Sequence, residues 1–283
     1  MYIGKEADYI ENQVHICYYY SMNTDYDYKM TAGRFHLQLS NTLNIAEREI
    51  HSYHEILYCP NVQTVLHTER RQLTLSGKNL LIIPKGQYHL FDLSAVDRFP
   101  RLKIAVPDAV TSEIPGCSLF LDIHGYNVIN LHTELLIRQI SETLSKEQTN
   151  MQAFYLSCAV WMLLAELNSM PPAKLKCSQL NNVLLVQLTD YIMQNLSGDL
   201  SIKTLAKVIN ASPSYLTHRF QKEVGIPLHR YITQKRMIYA RELIDSGEKP
   251  TKIYLDCGYK DYSSFYKAYC DFFSVPPSER LDE

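Results

Sequence analysis

Two short predicted helices in the last third of the sequence each carry a row of polar and aromatic side chains on one face. The first row consists of Ser214, Thr217, His218 and Gln221, and the second of Tyr262, Ser263, Tyr266 and Lys267. Both rows are short and rich in hydrogen-bond donors, as is typical of a helix that lies in the major groove of DNA. The alternative is that both rows are ordinary solvated helix faces, so the elements around them must decide between the two.

The two rows lie at equivalent positions of an internal repeat within residues 201–283, at an offset of about 48–49 residues. The matched pairs are Leu205 and Ile253, Leu216 and Phe265, Phe220 and Tyr269, Gly225 and Ser274, and Pro227 and Pro276. Each segment predicts a helix, a turn and a second helix. In the first unit, Ser212 is a good N-cap, Pro213 suits the first helical position and Gly225 ends the helix. Asp261 caps the second helix of the other unit.

Apolar residues at helical spacing predict the buried face of each second helix. These residues are Leu216, Phe220 and Val224 in the first unit, and Phe265, Tyr269 and Phe272 or Phe273 in the other. Between the units, the apolar pattern predicts one amphipathic helix from about Pro227 to Ser246, closed by Gly247. About 18 residues at 1.5 Å each span roughly 27 Å. Such a connector could hold two recognition helices in successive major grooves, roughly 34 Å apart.

The whole segment resembles the signature of the AraC/XylS transcription regulators. The motifs that carry the resemblance are Leu205-Ala206, 212–216, 220–225, Arg236, Ala240, Leu243-Ile244, Gly258-Tyr259 and 273–278. The resemblance implies a sequence-specific regulator that binds double-stranded DNA, more often an activator that contacts RNA polymerase than a repressor. It places base-reading positions on the two polar rows, and Lys203, near the start of the first short helix, is the candidate phosphate contact.

Upstream, residues from about 30 to 125 have a different pattern, which predicts short β-strands. The apolar runs are 56–58, 64–66, 72–75 and 80–83, and turn residues such as Pro60-Asn61 and Ser76-Gly77 separate them. Short strands at this spacing predict a β-barrel or sandwich. The period becomes helical at about 131–168. We therefore predict an α+β multidomain chain.

The predicted division places a sensing and dimerisation domain at residues 1–170, a linker at 171–177 and an all-α, tandem helix-turn-helix domain at 178–283. Pro171-Pro172, next to basic residues and without periodicity, marks the linker. Regulators of the resembled family often carry an N-terminal cupin-like barrel that senses a small molecule. Many of them form homodimers through the helical segment that corresponds to 131–168.

Residues 51–56 and 84–89 resemble the two cupin motifs, which raises the alternative of a metal-dependent cupin enzyme. His51, His54, Glu55 and His89 are the residues that could ligate a metal. Because consecutive strand residues point to opposite faces, His54 and Glu55 should not both face the barrel interior. We therefore expect hydrogen-bonded barrel histidines, with no metal and no other cofactor.

A pocket for a small organic effector is the preferred interpretation of the barrel. The candidate lining residues are Tyr53, His54, Tyr88 and His89, with Arg34 and His36 from an earlier strand. Tyrosine and histidine offer both a stacking face and a polar tip. A third alternative is a ligand-independent regulator whose barrel is only an interaction domain.

Composition limits the remaining function classes. The 283 residues include 46% hydrophobic and 20% charged residues and have a formal net charge of −2, so charge alone does not indicate nucleic acid. The seven cysteines are scattered, which argues against a disulfide framework or a structural zinc site. No apolar run approaches the 18 residues of a membrane span, and the first eight residues do not resemble a signal peptide. We expect a cytoplasmic, non-enzymatic protein without membrane contact.

Overall fold

The computed structural model describes residues 27–43, 50–69, 71–126, 130–146, 149–171, 177–179 and 183–279. An antiparallel sheet with covering helices forms the N-terminal part, and helices alone form the C-terminal part. The predicted α+β, two-domain fold class is thereby confirmed.

Strand β3 organises the N-terminal sheet. The described strands are β1 (Asp27–Ala32), β2 (Phe35–Ser40), β3 (His54–Thr68), β4 (Arg71–Ile83), β5 (His89–Phe91), β6 (Arg101–Val106), β7 (His124–Tyr126) and β8 (Cys177–Gln179). Their order is β1-β2-β6-β3-β4-β7, with β5 paired to β3 and β8 paired to β4. The start of β3 pairs with β6 and its end with β5, while β4 runs beside it on the other edge.

The predicted turns at Pro60-Asn61 and Ser76-Gly77 are wrong, because both segments lie inside long strands. The register of the β3–β4 pair instead shifts between Cys59 and Val62, opposite Gly77, whose φ is +70°. An extra residue in one strand produces such a bulge and bends the pair. The four predicted short strands are therefore two bent ones.

Both faces are buried at the start of β3 and at the end of β4, which explains the continuous apolar runs there. Ile56 and Tyr58 face the cluster that also contains residues of helices α2 (Leu131–Leu144) and α3 (Asn150–Ser169). Leu57 and Cys59 face a second apolar cluster, formed within the sheet itself. A single-turn helix, α1 (Asp108–Thr111), follows β6.

The C-terminal part contains the predicted repeat. Its helices are α4 (Val183–Gln194), α5 (Ile202–Val208), α6 (Pro213–Val224), α7 (Leu228–Asp245), α8 (Pro250–Ile253) and α9 (Tyr262–Phe273). The N-cap side chains of α6 and α9, Ser212 and Asp261, each accept a bond from the backbone N–H three residues on. Gly225 and Ser274, which end these helices, both adopt the left-handed conformation, with φ of +84° and +61°. In both units, the second helix therefore begins with the same kind of N-cap and ends with the same left-handed backbone conformation.

The predicted connector is confirmed as α7. It has 18 residues, with Pro227 and Ser246 as its caps, and Gly247 follows with φ of +98°. No helix among the described residues is long and apolar enough to cross a membrane.

Residues 172–176 of the predicted linker lie outside the described residues. The strand that follows them, β8, pairs with Arg71–Leu73 of β4. Ser178 and Gln179, which the sequence analysis placed in the C-terminal domain, therefore extend the N-terminal sheet. The division into domains itself stays a prediction.

Candidate nucleic-acid interface and adjoining cavities

Helix α6 is fixed to the C-terminal domain by one apolar face. Leu216, Phe220 and Val224 are buried, as their spacing predicts. The Phe220 ring packs edge-on against the ring of Tyr231 in α7, with 5.2 Å between centroids. This packing fixes which face of α6 points outward.

The outward face of α6 carries the first predicted row. Ser214, His218 and Gln221 are exposed, and Thr217 is half-buried. The Thr217 hydroxyl donates to the carbonyl oxygen of Pro213 or Ser214, each 3.1 Å away. Thr217 therefore offers its oxygen as an acceptor and its methyl group as an apolar contact.

The second row, on α9, is more closely tied to the core. Ser263, Tyr266 and Lys267 are exposed, but Tyr262 is half-buried. The centroid of the Tyr262 ring lies 5.9 Å from that of Phe265 and 6.0 Å from that of Tyr266. Three of the four side chains are thus exposed, and the fourth supports the aromatic core of the second unit.

Lysines supply the free positive charge on the first unit. Lys203 is exposed in the first turn of α5, and Lys207 and Lys222 are exposed as well. Arg219 differs, because its guanidinium pairs with Glu223 at 2.8 Å. Lys203 is therefore accessible to a phosphate group, as its predicted role requires.

Arg236, in the middle of α7, joins the loop before α5 to the second unit. It donates from Nε to the carbonyl oxygen of Leu196 (2.9 Å) and from Nη2 to that of Gly198 (3.0 Å). Its guanidinium also lies over the Tyr259 ring, 5.8 Å from the centroid. Gly258 has φ of +76°, and a Cβ there would lie 2.4 Å from Arg236 Nη2. Arg236 is part of the family signature, but the sequence alone gave it no such role.

Two of the predicted effector residues, His36 and Tyr53, line a cavity of about 700 Å³. The cavity lies between the sheet and the end of α9, which contributes Phe272 and Phe273. Lys103 also lines it, with its ammonium 5.7 Å from the centroid of the Tyr53 ring. A molecule in this cavity would contact the sheet and the second helix-turn-helix unit at once.

The other four candidates lie elsewhere. Arg34 is at the surface, where it pairs with Glu113. His54 is buried and lines a second cavity of about 950 Å³ between the sheet and the C-terminal helices. Tyr88 is buried in the apolar cluster of those helices, and His89 is buried near Glu55. The six residues therefore do not form one pocket, because the β5 region turns toward the C-terminal helices.

A compact buried group surrounds the Glu55 carboxylate. Glu55 Oε2 lies 2.6 Å from His51 Nε2, 3.7 Å from His89 Nε2 and 3.5 Å from Lys103 Nζ. His54 projects away from this group and has its Nε2 2.9 Å from Asp108 Oδ1, as strand alternation predicts. His51, Glu55 and His89 were among the predicted metal ligands, but their spacing did not predict that these three, among the described residues, would converge within 4.8 Å.

The charges of this group already balance. Burial raises the pKa of Glu55, but Lys103 and the hydrogen bond with His51 outweigh burial and hold that pKa well below its usual value. Burial lowers the pKa of His51, although the hydrogen bond with Glu55 raises it. Two imidazoles and a carboxylate are a donor set that zinc uses, but the Lys103 ammonium provides the positive charge that a metal would bring. The absence of a metal stays a prediction.

The C-terminal helices match proteins of known family. Residues 205–282 match the family model described as a helix-turn-helix domain. The probable transcriptional regulator LumQ of Photobacterium leiognathi is 31% identical over 104 residues, and the regulatory protein PocR of Salmonella typhimurium is 32% identical over 88 residues. The chain carries a helix-turn-helix domain of the AraC type.

The matches to these relatives cover only part of each chain. The match to LumQ spans 36% of this chain and 41% of LumQ, and that to PocR spans 31% and 29%. Among solved structures, ToxT of Vibrio cholerae aligns over 90% of this chain and 96% of its own, with 13% identity and a TM-score of 0.38. An AraC-type regulator from Chromobacterium violaceum aligns over 34% of this chain and 86% of its own, with 23% identity and a TM-score of 0.32.

The AraC-type domain is joined to the sheet by a buried ion pair that the sequence analysis missed. Lys235 Nζ, on α7, lies 2.7 Å from Oε1 of Glu69, the residue that follows β3, and both side chains are almost fully buried. Glu69 also accepts from the backbone N–H of Tyr88 (3.2 Å) and from the Tyr231 hydroxyl (3.3 Å), and Lys235 donates to the carbonyl oxygen of Gly86 (2.5 Å). An ion pair across 166 positions of chain leaves no local sequence signal.

Proposed function

We propose that the protein is a sequence-specific DNA-binding transcription regulator that responds to a small-molecule effector. The observation that carries the proposal is the arrangement of α6 and α9. Each helix has a capped N-terminus, a buried apolar face and an outward polar face, and the 18-residue helix α7 joins the two units. A connector of about 27 Å suits two helices that enter successive major grooves on one side of a duplex.

The first unit has the more accessible readers. Ser214, Thr217, His218 and Gln221 contact base edges, and Lys203 contacts a phosphate. In the second unit, Ser263, Tyr266 and Lys267 contact DNA, while Tyr262 contributes mainly by supporting them. The exposure of these side chains and the burial of their neighbours support this assignment.

The effector site is the cavity that His36 and Tyr53 line. Its apolar and aromatic walls suit one small organic molecule, and Phe272 and Phe273 give it direct contact with the second unit. An effector that binds one arrangement of the two units better than another shifts the equilibrium between them. Activation, with RNA polymerase as a partner, is the direction we propose, and the cytoplasm, where bacterial DNA lies, is the compartment.

Helix α3 supports a homodimer. Its apolar side chains are not confined to one face, yet only one face lies in the core of the sheet domain. Its exposed stripe, Met151, Tyr155, Cys158 and Met162, has the alternating four- and three-residue spacing of a helix–helix seam. We expect Met162→Glu to convert a dimer into a monomer in light scattering, whereas Lys146→Glu, outside the stripe, leaves the mass unchanged. A monomeric wild type at micromolar concentration contradicts this part of the proposal.

A metal-dependent cupin enzyme is the second candidate, because His51, Glu55 and His89 converge. The balancing Lys103 and the paired helix-turn-helix units favour the regulator. A third candidate is a regulator whose sheet domain binds only partners. It predicts that no small molecule changes DNA affinity.

The decisive experiment measures binding of the full chain to DNA that flanks its own gene, by footprinting and fluorescence anisotropy. His218→Ala and Thr217→Ala should each weaken the specific site by about 1–3 kcal/mol and relax preference at one or two base pairs. Lys203→Ala should weaken all duplexes alike and lower the salt slope by about one unit. Lys78→Ala, on the sheet, is the matched control. Equal loss on every sequence after His218→Ala refutes base reading by α6, and salt-insensitive binding refutes the proposal as a whole.

A further inference from the structure

A cleft of about 950 Å³ separates the sheet from the AraC-type domain, and both parts line it. Arg71 and Lys85 line it from the sheet side, and Lys235 and Glu242 line it from α7. Its volume lies in the range of sites for small molecules, which often form between domains. None of the functional assignments above uses this cleft except through the single residue His54.

Two cations of the cleft, Arg71 and Lys85, are less exposed than the carboxylates that pair with them. The side chains of Arg71 and Lys85 retain 25% and 23% of their exposure. Lys85 pairs at 2.7 Å with Asp108 of the sheet part, which retains 54% of its exposure. Arg71 pairs with Asp122 at 2.9 Å, and Lys85 also pairs with Glu242 at 3.1 Å. Those two carboxylates retain 69% and 42% of their exposure. The cleft therefore holds partly desolvated positive charges whose counter-charges stand at its solvent-exposed rim.

An anion inside the cleft would satisfy these cations better than the rim does. A pair with a water-exposed carboxylate is weak because water screens it, whereas charges in a less polar cavity attract more strongly. Carboxylates that are displaced from the rim return to water with little penalty. The buried pair of Glu69 and Lys235 can stay intact, as the floor of the cleft.

We propose that the cleft binds a small polyanionic ligand, bearing carboxylate or phosphate groups, that replaces Asp122 on Arg71 and Glu242 on Lys85. The pair of Lys85 with Glu242 joins the sheet to α7, so the ligand removes one contact between the two domains. Because α7 carries both helix-turn-helix units, the release changes their freedom to adopt a DNA-binding arrangement. This consequence rests on the proposed function, whereas the binding itself does not.

The test is calorimetric titration of the full chain, without DNA, with citrate as the carboxylate probe and pyrophosphate as the phosphate probe. We expect at least one probe to bind one-to-one. Lys85→Gln and Arg71→Gln should each weaken that binding by about tenfold, the effect of one charge-assisted hydrogen bond. Lys78→Gln is the matched control, because it removes one positive charge from β4, the strand of Arg71, and its partner Glu134 lies outside the cleft. It should leave the affinity for the probe unchanged.

Glu242→Gln should change the affinity for the probe anion in the opposite direction. It removes one of the two carboxylates that pair with Lys85 and leaves Asp108 in place, so it should strengthen binding. A non-specific attraction of anions to the basic helices would respond to this change only weakly. Binding of neither probe at 10 mM in low salt overturns the proposal, as does an equal loss in Lys78→Gln and Lys85→Gln. DNA affinity of the same preparation is measured separately, so failure of the regulator function and failure of the anion site give different results.

Discussion

Lys235→Met should destabilise the protein strongly, because it leaves the Glu69 carboxylate buried without a cation. The two side chains retain only 8% and 4% of their exposure, and their charged atoms are 2.7 Å apart. Removing one partner of such a pair costs about 3–5 kcal/mol. Glu69 keeps its bonds from the Tyr88 N–H and the Tyr231 hydroxyl, so we expect the lower end, about 3 kcal/mol.

Urea unfolding of the full chain, followed by the fluorescence of the single tryptophan, Trp161, and by circular dichroism, measures this loss. The double variant Glu69→Gln/Lys235→Met removes both charges and should recover about 2 kcal/mol relative to Lys235→Met alone. Lys78→Met, which breaks an exposed pair, should change the free energy of unfolding by less than about 1 kcal/mol. A loss below 1 kcal/mol in Lys235→Met, or a double variant no more stable than the single one, refutes the buried contact between the domains.

Three further predictions follow from other contacts. Gly258→Ala forces a left-handed alanine whose Cβ would lie 2.5 Å from the backbone carbonyl oxygen of Leu196 and would displace Arg236 from that oxygen. It should therefore cost at least about 2 kcal/mol and weaken DNA binding through the second unit, which melting and anisotropy measure. Burial lowers the pKa of His51 below its usual value of 6.5. As the pH falls through 6.5, the unfolded chain therefore binds a proton at His51 more readily than the folded chain does. Stability should therefore fall between pH 7 and pH 5.5 in urea titrations, less so in His51→Gln; an identical pH profile in that variant contradicts the assignment. Elemental analysis should find no stoichiometric transition metal, because Lys103 balances the charge of Glu55. One metal per chain that is lost in His51→Ala would favour the metal-dependent cupin enzyme over the regulator.

The helix-turn-helix units illustrate what local sequence can fix. A cap such as Ser212, a proline at the first helical position and a glycine at the end act within one turn of backbone. The buried positions of α6 follow from a period of 3.6 residues. For this reason the ends of α6 and α7, the repeat and the outward polar faces could all be predicted before any tertiary contact was known.

The sheet shows where local signals mislead. Pro60-Asn61 and Ser76-Gly77 have the composition of turns, but Pro60-Asn61 lie in a bulge and Ser76-Gly77 pair with the strand residues that follow it. Only the pairing of β3 with β4 distinguishes a bulge from a turn. Whether either segment is a turn or part of a strand therefore depends on the register of the two paired strands.

Local sequence was enough to predict the helices of the C-terminal half, their caps and their candidate DNA-reading faces, because the interactions that specify them are a few residues apart. The tertiary structure alone decided which buried groups meet. His51 and His89 lie beside Glu55, whereas Tyr88 and Glu69 contact the AraC-type domain. These contacts depend on strand order and on the packing of one domain against the other. A buried charge needs a partner, but its own sequence neighbourhood does not specify which residue that partner is.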